Sequence, residues 1–150
     1  MDRVDVMEIE GRRYGVIIDY KTGPTSTHYA DEMMKGHDLQ LRLYLMVLQR
    51  FWGIEPVGAL YLGFGDGERR GAMRTRFAEH FIGAGGKGVE ALDENAWRAF
   101  VDETPALIAP IVDRLVRLDI TPRPRDRNCG FCDLKPICRY EPWALEELHG

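Results

Sequence analysis

Asp19 and Lys21 stand two residues apart at the end of the apolar run VIIDYKTG, residues 16 to 23. Side chains alternate along a strand, so the pair shares one face of any sheet containing this run, while Ile18 and Tyr20 share the other. Two further acids precede it in DRVD, residues 2 to 5. If the chain between them reverses at Glu10-Gly11 in a two-residue hairpin loop, Ile9 faces Arg12 and, counting outward, Asp2 faces Asp19. Opposed side chains have Cβ atoms about 4.5 to 5.5 Å apart, which suits two carboxylates sharing one hard divalent cation through oxygen ligands. Asp5 points to the opposite face, roughly 10 Å further along at about 3.3 Å per residue, and reads as a structural or substrate-side charge. Two carboxylates, a cation and a lysine are the requirements of phosphodiester hydrolysis. The cation lowers the pKa of a bound water and screens charge developing at phosphorus, while the lysine orients the nucleophile or stabilises that charge. Taken alone, Asp-x-Lys is equally an exposed ion pair at a strand end, so other features must carry the reading.

The elements that would position these groups are visible in the pattern. RVDVMEIE alternates apolar and polar residues, Glu10-Gly11 offers a turn, and RRYGVIIDYK resumes the extended pattern, predicting a β-hairpin that begins at residue 1 or 2. HDLQLRLYLMVLQRFWG is rich in helix formers and apolar on most sides, predicting a largely buried helix over 36–52 that stops at Gly53. Gln40 and Tyr44 fall on one face of it at the i, i+4 spacing. PVGALYLGF predicts another short strand, and GERRGAMRTRF a weaker one at the sheet edge. GAGGKG, residues 83 to 88, lacks the Lys-Ser/Thr ending of a phosphate-binding loop and reads as a plain loop. Residues 94 to 119 have a helical pattern in which Pro105 and Pro110 mark a break or a fresh start.

At 150 residues, 45% hydrophobic and 29% charged, the chain has the size and mix of a single globular domain, 1–150, able to bury a core. A net charge of -4 argues against bulk electrostatic coating of nucleic acid or anionic lipid, although a local basic groove survives that average. There is neither a run of 18 apolar residues nor a signal-peptide pattern, so no membrane association is expected and the reading is cytoplasmic. The three cysteines, Cys129, Cys132 and Cys138, lie close together near the C-terminus as C-x2-C-x5-C. That spacing lets one short loop wrap three thiolates around a metal centre, and zinc would use similar residues. Arg123, Arg125 and Arg127 immediately precede the loop and could contact a phosphate backbone; a solvated loop is the alternative.

Taken together, DRVD, VIIDYKTG, QLRLY (residues 40 to 44) and CGFCDLKPIC resemble, in type and order, the PD-(D/E)XK nuclease superfamily, and more narrowly its RecB-like branch with the AddB-type nucleases that carry an iron-sulfur cluster. The resemblance spans residues 2 to 138. It implies an α/β, restriction-endonuclease-like core, a mixed central sheet with flanking helices, and a C-terminal cysteine-bound loop over 120–143. It implies Asp2 and Asp19 as metal-binding acids for Mg2+ or Mn2+, the backbone carbonyl of Tyr20 as a further ligand, and Lys21 as the catalytic lysine. Gln40 and Tyr44 match the family's Gln-x-x-x-Tyr motif and are expected to face the scissile phosphate. The three cysteines correspond to ligands of a 4Fe-4S cluster whose fourth cysteine lies far upstream in the family. No such cysteine is present here, and the chain begins inside the family's G-x-I-D-R-V-D motif, with Met1 where Ile is usual. The sequence therefore reads as the C-terminal portion of a longer nuclease, without the first helix, first strand and upstream histidine ligand of the core. His28, His37, His80 and His149 match no ligand motif and read as solvated or packed side chains.

The implied function is a metal-dependent deoxyribonuclease, exo- or endonucleolytic, acting in DNA repair or recombination beside a helicase domain or subunit. An alternative is a non-catalytic DNA-binding or scaffold remnant of such a nuclease, against which the joint presence of Asp2, Asp19, Lys21, Gln40 and Tyr44 argues. A zinc-stapled interaction module explains the cysteines but neither the hairpin nor the helix motif.

Overall fold

The computed structural model describes residues 1–22, 32–33, 35–82, 88–121 and 133–138. The chain divides into two compact units, Met1–Ala109 and Pro110–Gly150.

The first unit is built on a five-stranded mixed sheet in the order β1-β2-β3-β4-β5. β1 (Arg3–Ile9) and β2 (Arg12–Lys21) form the expected hairpin. Its tip holds Glu10 at φ 52° and Gly11 at φ 74°, the two positive φ values that a two-residue turn needs to match the strand twist. The register follows from the turn: Ile9 faces Arg12 and Arg3 faces Ile18. Asp2, one residue beyond the ladder, continues that count toward Asp19. β2 pairs in parallel with β3 (Glu55–Gly63). It is thus an interior strand, which is why Val16-Ile17-Ile18 reads as an unbroken apolar run rather than an alternating one.

A parallel pair requires a crossover, and α1 (Gln40–Trp52) supplies it. Leu41, Leu45 and Leu48 are buried at helical spacing and join Ile17, Ala59 and Tyr61 in one core cluster on a single face of the sheet. The helix ends as expected at Gly53, in the left-handed conformation at φ 61°. Its start differs from the expected 36. Gly36 turns with φ 74°, and the Asp38 carboxylate accepts the Gln40 N–H at 3.0 Å, so the first helical turn is held from a side chain two residues upstream.

β4 (Arg69–Arg74) is antiparallel to β3 but is not the sheet edge; β5 (Val89–Leu92) pairs with it in parallel. So short a strand gave no readable period in the sequence. Between them lies α2 (Thr75–Ile82), whose Phe77 packs on Tyr14, Val16, Val57, Leu60 and Met73 to form a second core on the other face. α3 (Glu94–Asp102) is capped by Asp93, which accepts the Ala96 N–H at 2.8 Å, and buries Trp97, Phe100 and Val101 in the first core. α4 (Thr104–Val116) starts afresh at Thr104-Pro105 and continues through Pro110. Of the two prolines, the one in the first turn marks the start. The mixed sheet with helices on both faces is the restriction-endonuclease-like α/β architecture.

In the second unit, the end of α4 is closed by Arg114, which reaches the Asp119 carboxylate at 2.9 Å and the Thr121 carbonyl at 2.7 Å. Further on is a single turn of helix, α5 (Lys135–Cys138).

Candidate active site

β2 carries the chemistry at its C-terminal end because its apolar run holds the strand between two cores while its last residues emerge toward solvent. Asp19 is only 3% exposed, and a carboxylate withdrawn that far from water must be met by donors or cations. Lys21 Nζ lies 2.8 Å from Asp19 Oδ2, on the same face as the alternation requires. From α1, the Gln40 side-chain Nε2 donates to Asp19 Oδ1 at 3.2 Å and its Oε1 accepts from Lys21 at 2.8 Å. One amide therefore answers both charges, its NH2 toward the carboxylate and its oxygen toward the ammonium. The same Nε2 donates to the Tyr44 hydroxyl at 3.0 Å, one helical turn further on.

The amino group of Met1 lies 3.6 Å from Asp19 Oδ1. The hydrogen bond with Tyr44 raises the proton affinity of this group, with Asp19 and Asp2 adding to it against partial desolvation. In return, the amino group and then Gln40 pull the Tyr44 hydroxyl below the ordinary phenol range.

Asp2 is reached by a different route. Its carboxylate accepts the backbone N–H of Tyr20 at 2.8 Å, which ties the start of the chain across β2 beside Asp19. Asp5 occupies the other face, where Arg3 Nε and Nη2 clasp it at 2.6 and 2.9 Å. It is a paired structural charge there, away from Asp19. The side chains at this end of β2 that could meet a metal are hard oxygens, the carboxylates of Asp2 and Asp19. Among the described residues no three His, Cys, Asp or Glu side chains converge on a metal site. That donor set fits Mg2+ or Mn2+, which commonly bind through one or two carboxylates and complete their shell with water and phosphate oxygens.

Two residues of the site have no signature in the sequence. Asp38, which starts α1, also accepts the Tyr61 hydroxyl at 2.6 Å, and the Tyr61 ring lies 4.8 Å beneath Lys21 Nζ. Burial, then the bond to Asp38, holds Tyr61 firmly protonated, well above the phenol range. The only available signal is that Tyr61 carries the one hydroxyl in a strand that is apolar from Pro56 onward. His37 bonds Glu32 at 2.9 Å on the exposed surface, a solvated role. Arg123, Arg125, Arg127, Cys129 and Cys132 lie outside the described residues. Cys138 ends α5, its N–H bonded to the Leu134 carbonyl at 2.8 Å and its side chain partly covered.

Proteins with this sequence pattern are known. An ATP-dependent helicase/deoxyribonuclease subunit of Carboxydothermus hydrogenoformans is 44% identical over 69 residues, 43% of this chain and 6% of that protein. The protein of the same name from Caldanaerobacter subterraneus subsp. tengcongensis is 39% identical over 71 residues, 44% of this chain and 6% of that protein. The matched stretch is thus a small fraction of either relative. The family model of the PD-(D/E)XK nucleases covers far more of the chain, residues 1–139, taking in the hairpin, the crossover helix and the positions of all three cysteines. By that match the chain belongs to the PD-(D/E)XK nuclease superfamily.

Proposed function

We propose that this chain is a metal-dependent deoxyribonuclease domain of the RecB/AddB type, cytoplasmic and working in repair or recombination beside a helicase domain or subunit. The observation that carries the reading is the clamp of Asp19 and Lys21 by Gln40. A carboxylate at 3% exposure, with each oxygen engaged, is an arrangement that an incidental surface pair does not need. The names of the two relatives, helicase and deoxyribonuclease together, support DNA as substrate and a helicase as partner.

In this reading Asp2, Asp19 and the Tyr20 carbonyl would hold Mg2+ or Mn2+, which when bound supplies an activated water and screens charge at the phosphate. Lys21 has three N–H donors. Two are taken by Asp19 and Gln40, and the third is left for a phosphate oxygen or the incoming water. Gln40 keeps the lysine aimed, and Tyr44 extends the donor row toward the phosphate. In the reaction a water oxygen forms the new bond to phosphorus, and the displaced oxygen leaves with a proton. The whole chain, 1–150, serves as one nuclease domain, and Cys129, Cys132 and Cys138 bind a 4Fe-4S cluster in the 120–143 segment, with Arg123, Arg125 and Arg127 lying along DNA.

Linear DNA with Mg2+ or Mn2+ tests the reading directly. Cleavage is expected with the unsubstituted chain, and chelation, Asp19→Ala or Lys21→Ala should abolish it. Asp19→Asn, which preserves shape, should do the same when cleavage is compared per folded molecule. Equal cleavage by these variants would remove the assignment.

A further inference from the structure

Tyr61 and Asp38 are buried beside the site, at 1% and 9% exposure, and take no direct part in the hydrolysis. β3 runs parallel to β2 with Tyr61 paired to Asp19 and Gly63 to Lys21. Paired residues project to the same side, so the Tyr61 ring stands on the face that bears Asp19 and Lys21. Gly63 has no side chain to stand between them, which leaves the lysine room to lean back until its Nζ lies 4.8 Å from the ring centroid. At that distance the negative face of an aromatic ring attracts an ammonium. Asp19 and Gln40 hold the same ammonium at 2.8 Å each. Lysine carries its charge on a flexible four-carbon stem, so two oxygen contacts alone leave it able to swing, and the ring adds a third from the neighbouring strand. The ring is itself held. Its hydroxyl donates to Asp38 Oδ2 at 2.6 Å, while Asp38 Oδ1 accepts the Gln40 N–H at 3.0 Å. One buried carboxylate thus has a donor on each oxygen, as its burial requires, and ties the strand bearing the ring to the helix start bearing Gln40.

We propose that Tyr61 and Asp38 are positioning residues for the hydrolysis: the Tyr61 ring seats the Lys21 ammonium, and Asp38 fixes that seat to the first turn of α1. The proposal rests on the nuclease reading of the site and adds to it the groups that hold its lysine in place. In this arrangement neither residue meets the substrate. Their loss should therefore slow the reaction without loosening the grip on DNA.

The test reads cleavage and lysine geometry separately, in the full chain. With saturating Mg2+ and linear DNA, Tyr61→Leu should lower kcat per folded molecule by about 10- to 100-fold, with KM unchanged. That range lies between the loss of one desolvated cation–ring contact and a displacement of about 1 Å at a reacting group. Tyr61→Phe keeps the ring and should recover most of the loss. Asp38→Ala should lower kcat in the same way, and Asp38→Asn, which keeps an oxygen for the Gln40 N–H and a polar group for the phenol, should recover most of it. Lys21 shares the chain with Lys35, Lys87 and Lys135 alone, so 13C-lysine labelling resolves its methylene protons, assigned by their absence in Lys21→Ala. Protons over an aromatic face resonate upfield. The Lys21 upfield shift should be present in the parent and in Tyr61→Phe and lost in Tyr61→Leu. A loss that falls on KM, one that Phe does not recover, or a Lys21 shift indifferent to residue 61 overturns the proposal. Cleavage indifferent to Tyr61→Leu or Asp38→Ala sinks the seat alone, whereas a Tyr61-dependent shift in a chain that cleaves no DNA with either Mg2+ or Mn2+ sinks the nuclease reading and leaves the seat in place.

Discussion

Gln40 shows how one neutral side chain can set two charged ones. Its oxygen can face only the Lys21 ammonium and its NH2 only the Asp19 carboxylate, so the amide fixes the separation and tilt of both. Gln40→Ala should leave the fold intact, because the residue is only part-buried, and should lower kcat on linear DNA by about 100-fold, the scale of a displacement of about 1 Å at a reacting group. A purely structural role would give the same loss with any substitute. Gln40→Glu separates the cases: it still accepts from Lys21 but sets a second carboxylate against Asp19, which opposes joint ionisation. The acid limb of its cleavage profile should move to higher pH, and an unmoved limb would show that Gln40 does not act through Asp19. Within this cluster the Asp19–Lys21 pair, by strand alternation, and the Gln40–Tyr44 pair, by a helical turn, are legible from type and spacing, while the bonds that join the two pairs across 19 and 21 residues are implied only by the family motif. Asp38 and Tyr61 are not legible at all, since their bond joins positions 23 residues apart and neither periodicity reports which polar side chains meet across a core.

Between elements, the residue that matters most is one the pattern would have left at the surface. Arg42 sits inside α1, a helix that reads as apolar on most sides, yet it is 1% exposed. Its Nε donates to the Met33 carbonyl at 2.8 Å and its Nη1 to the Phe100 carbonyl at 2.7 Å, with the guanidinium 4.1 Å over the Phe100 ring. The Phe100 carbonyl belongs to the last turn of α3, where carbonyls look outside the helix for partners, and it accepts from the Thr104 hydroxyl at 3.2 Å as well as from Arg42. Arg42 thus fastens α1, and with it Gln40 and Tyr44, to α3. Burial lowers its pKa, only partly offset by Glu103, but a guanidinium stays charged. Arg42→Leu fills the space but removes two hydrogen bonds from a charged donor, at about 1.5 to 3 kcal/mol each; the Met33 carbonyl keeps the Gly36 N–H and the Phe100 carbonyl keeps the Thr104 hydroxyl, both at 3.2 Å. The urea midpoint should fall accordingly with an unchanged slope, while cleavage per folded molecule is retained at low temperature. A variant as stable as the parent would show that the bridge contributes nothing to docking α1. Element boundaries failed in the sequence for similarly local reasons: β5 is too short to show a period, and the start of α2, Thr75 to Phe77, sat at the end of the stretch GERRGAMRTRF that reads as a strand.

At the scale of the molecule, the proposed catalytic residues all fall within residues 2 to 44, in the first compact unit, whereas all three cysteines fall in the second. The hydrophobic cores account for the first unit. In the second, among the described residues, Ile111, Val112, Leu115, Val116, Leu118 and Ile120 are exposed, and the sequence from 121 to 132 carries few apolar residues. A metal centre can do what a core does not, because ligand bonds replace apolar area as the source of order. Three thiolates distinguish the two candidates for that centre. A four-iron cluster held by three cysteines leaves one iron with a position that the 150 residues do not fill with sulfur, and such a site is open to oxygen; zinc has no redox chemistry and tolerates a water in its fourth position. Purified anaerobically, the chain should be brown, with iron and acid-labile sulfide, and should bleach quickly in air. Cys138→Ser should be colourless from the start. A thiol-bearing peptide or a cysteine supplied by a longer chain should slow the bleaching by closing the fourth position, whereas a colourless protein with stoichiometric zinc, indifferent to air, would replace the cluster with a zinc site.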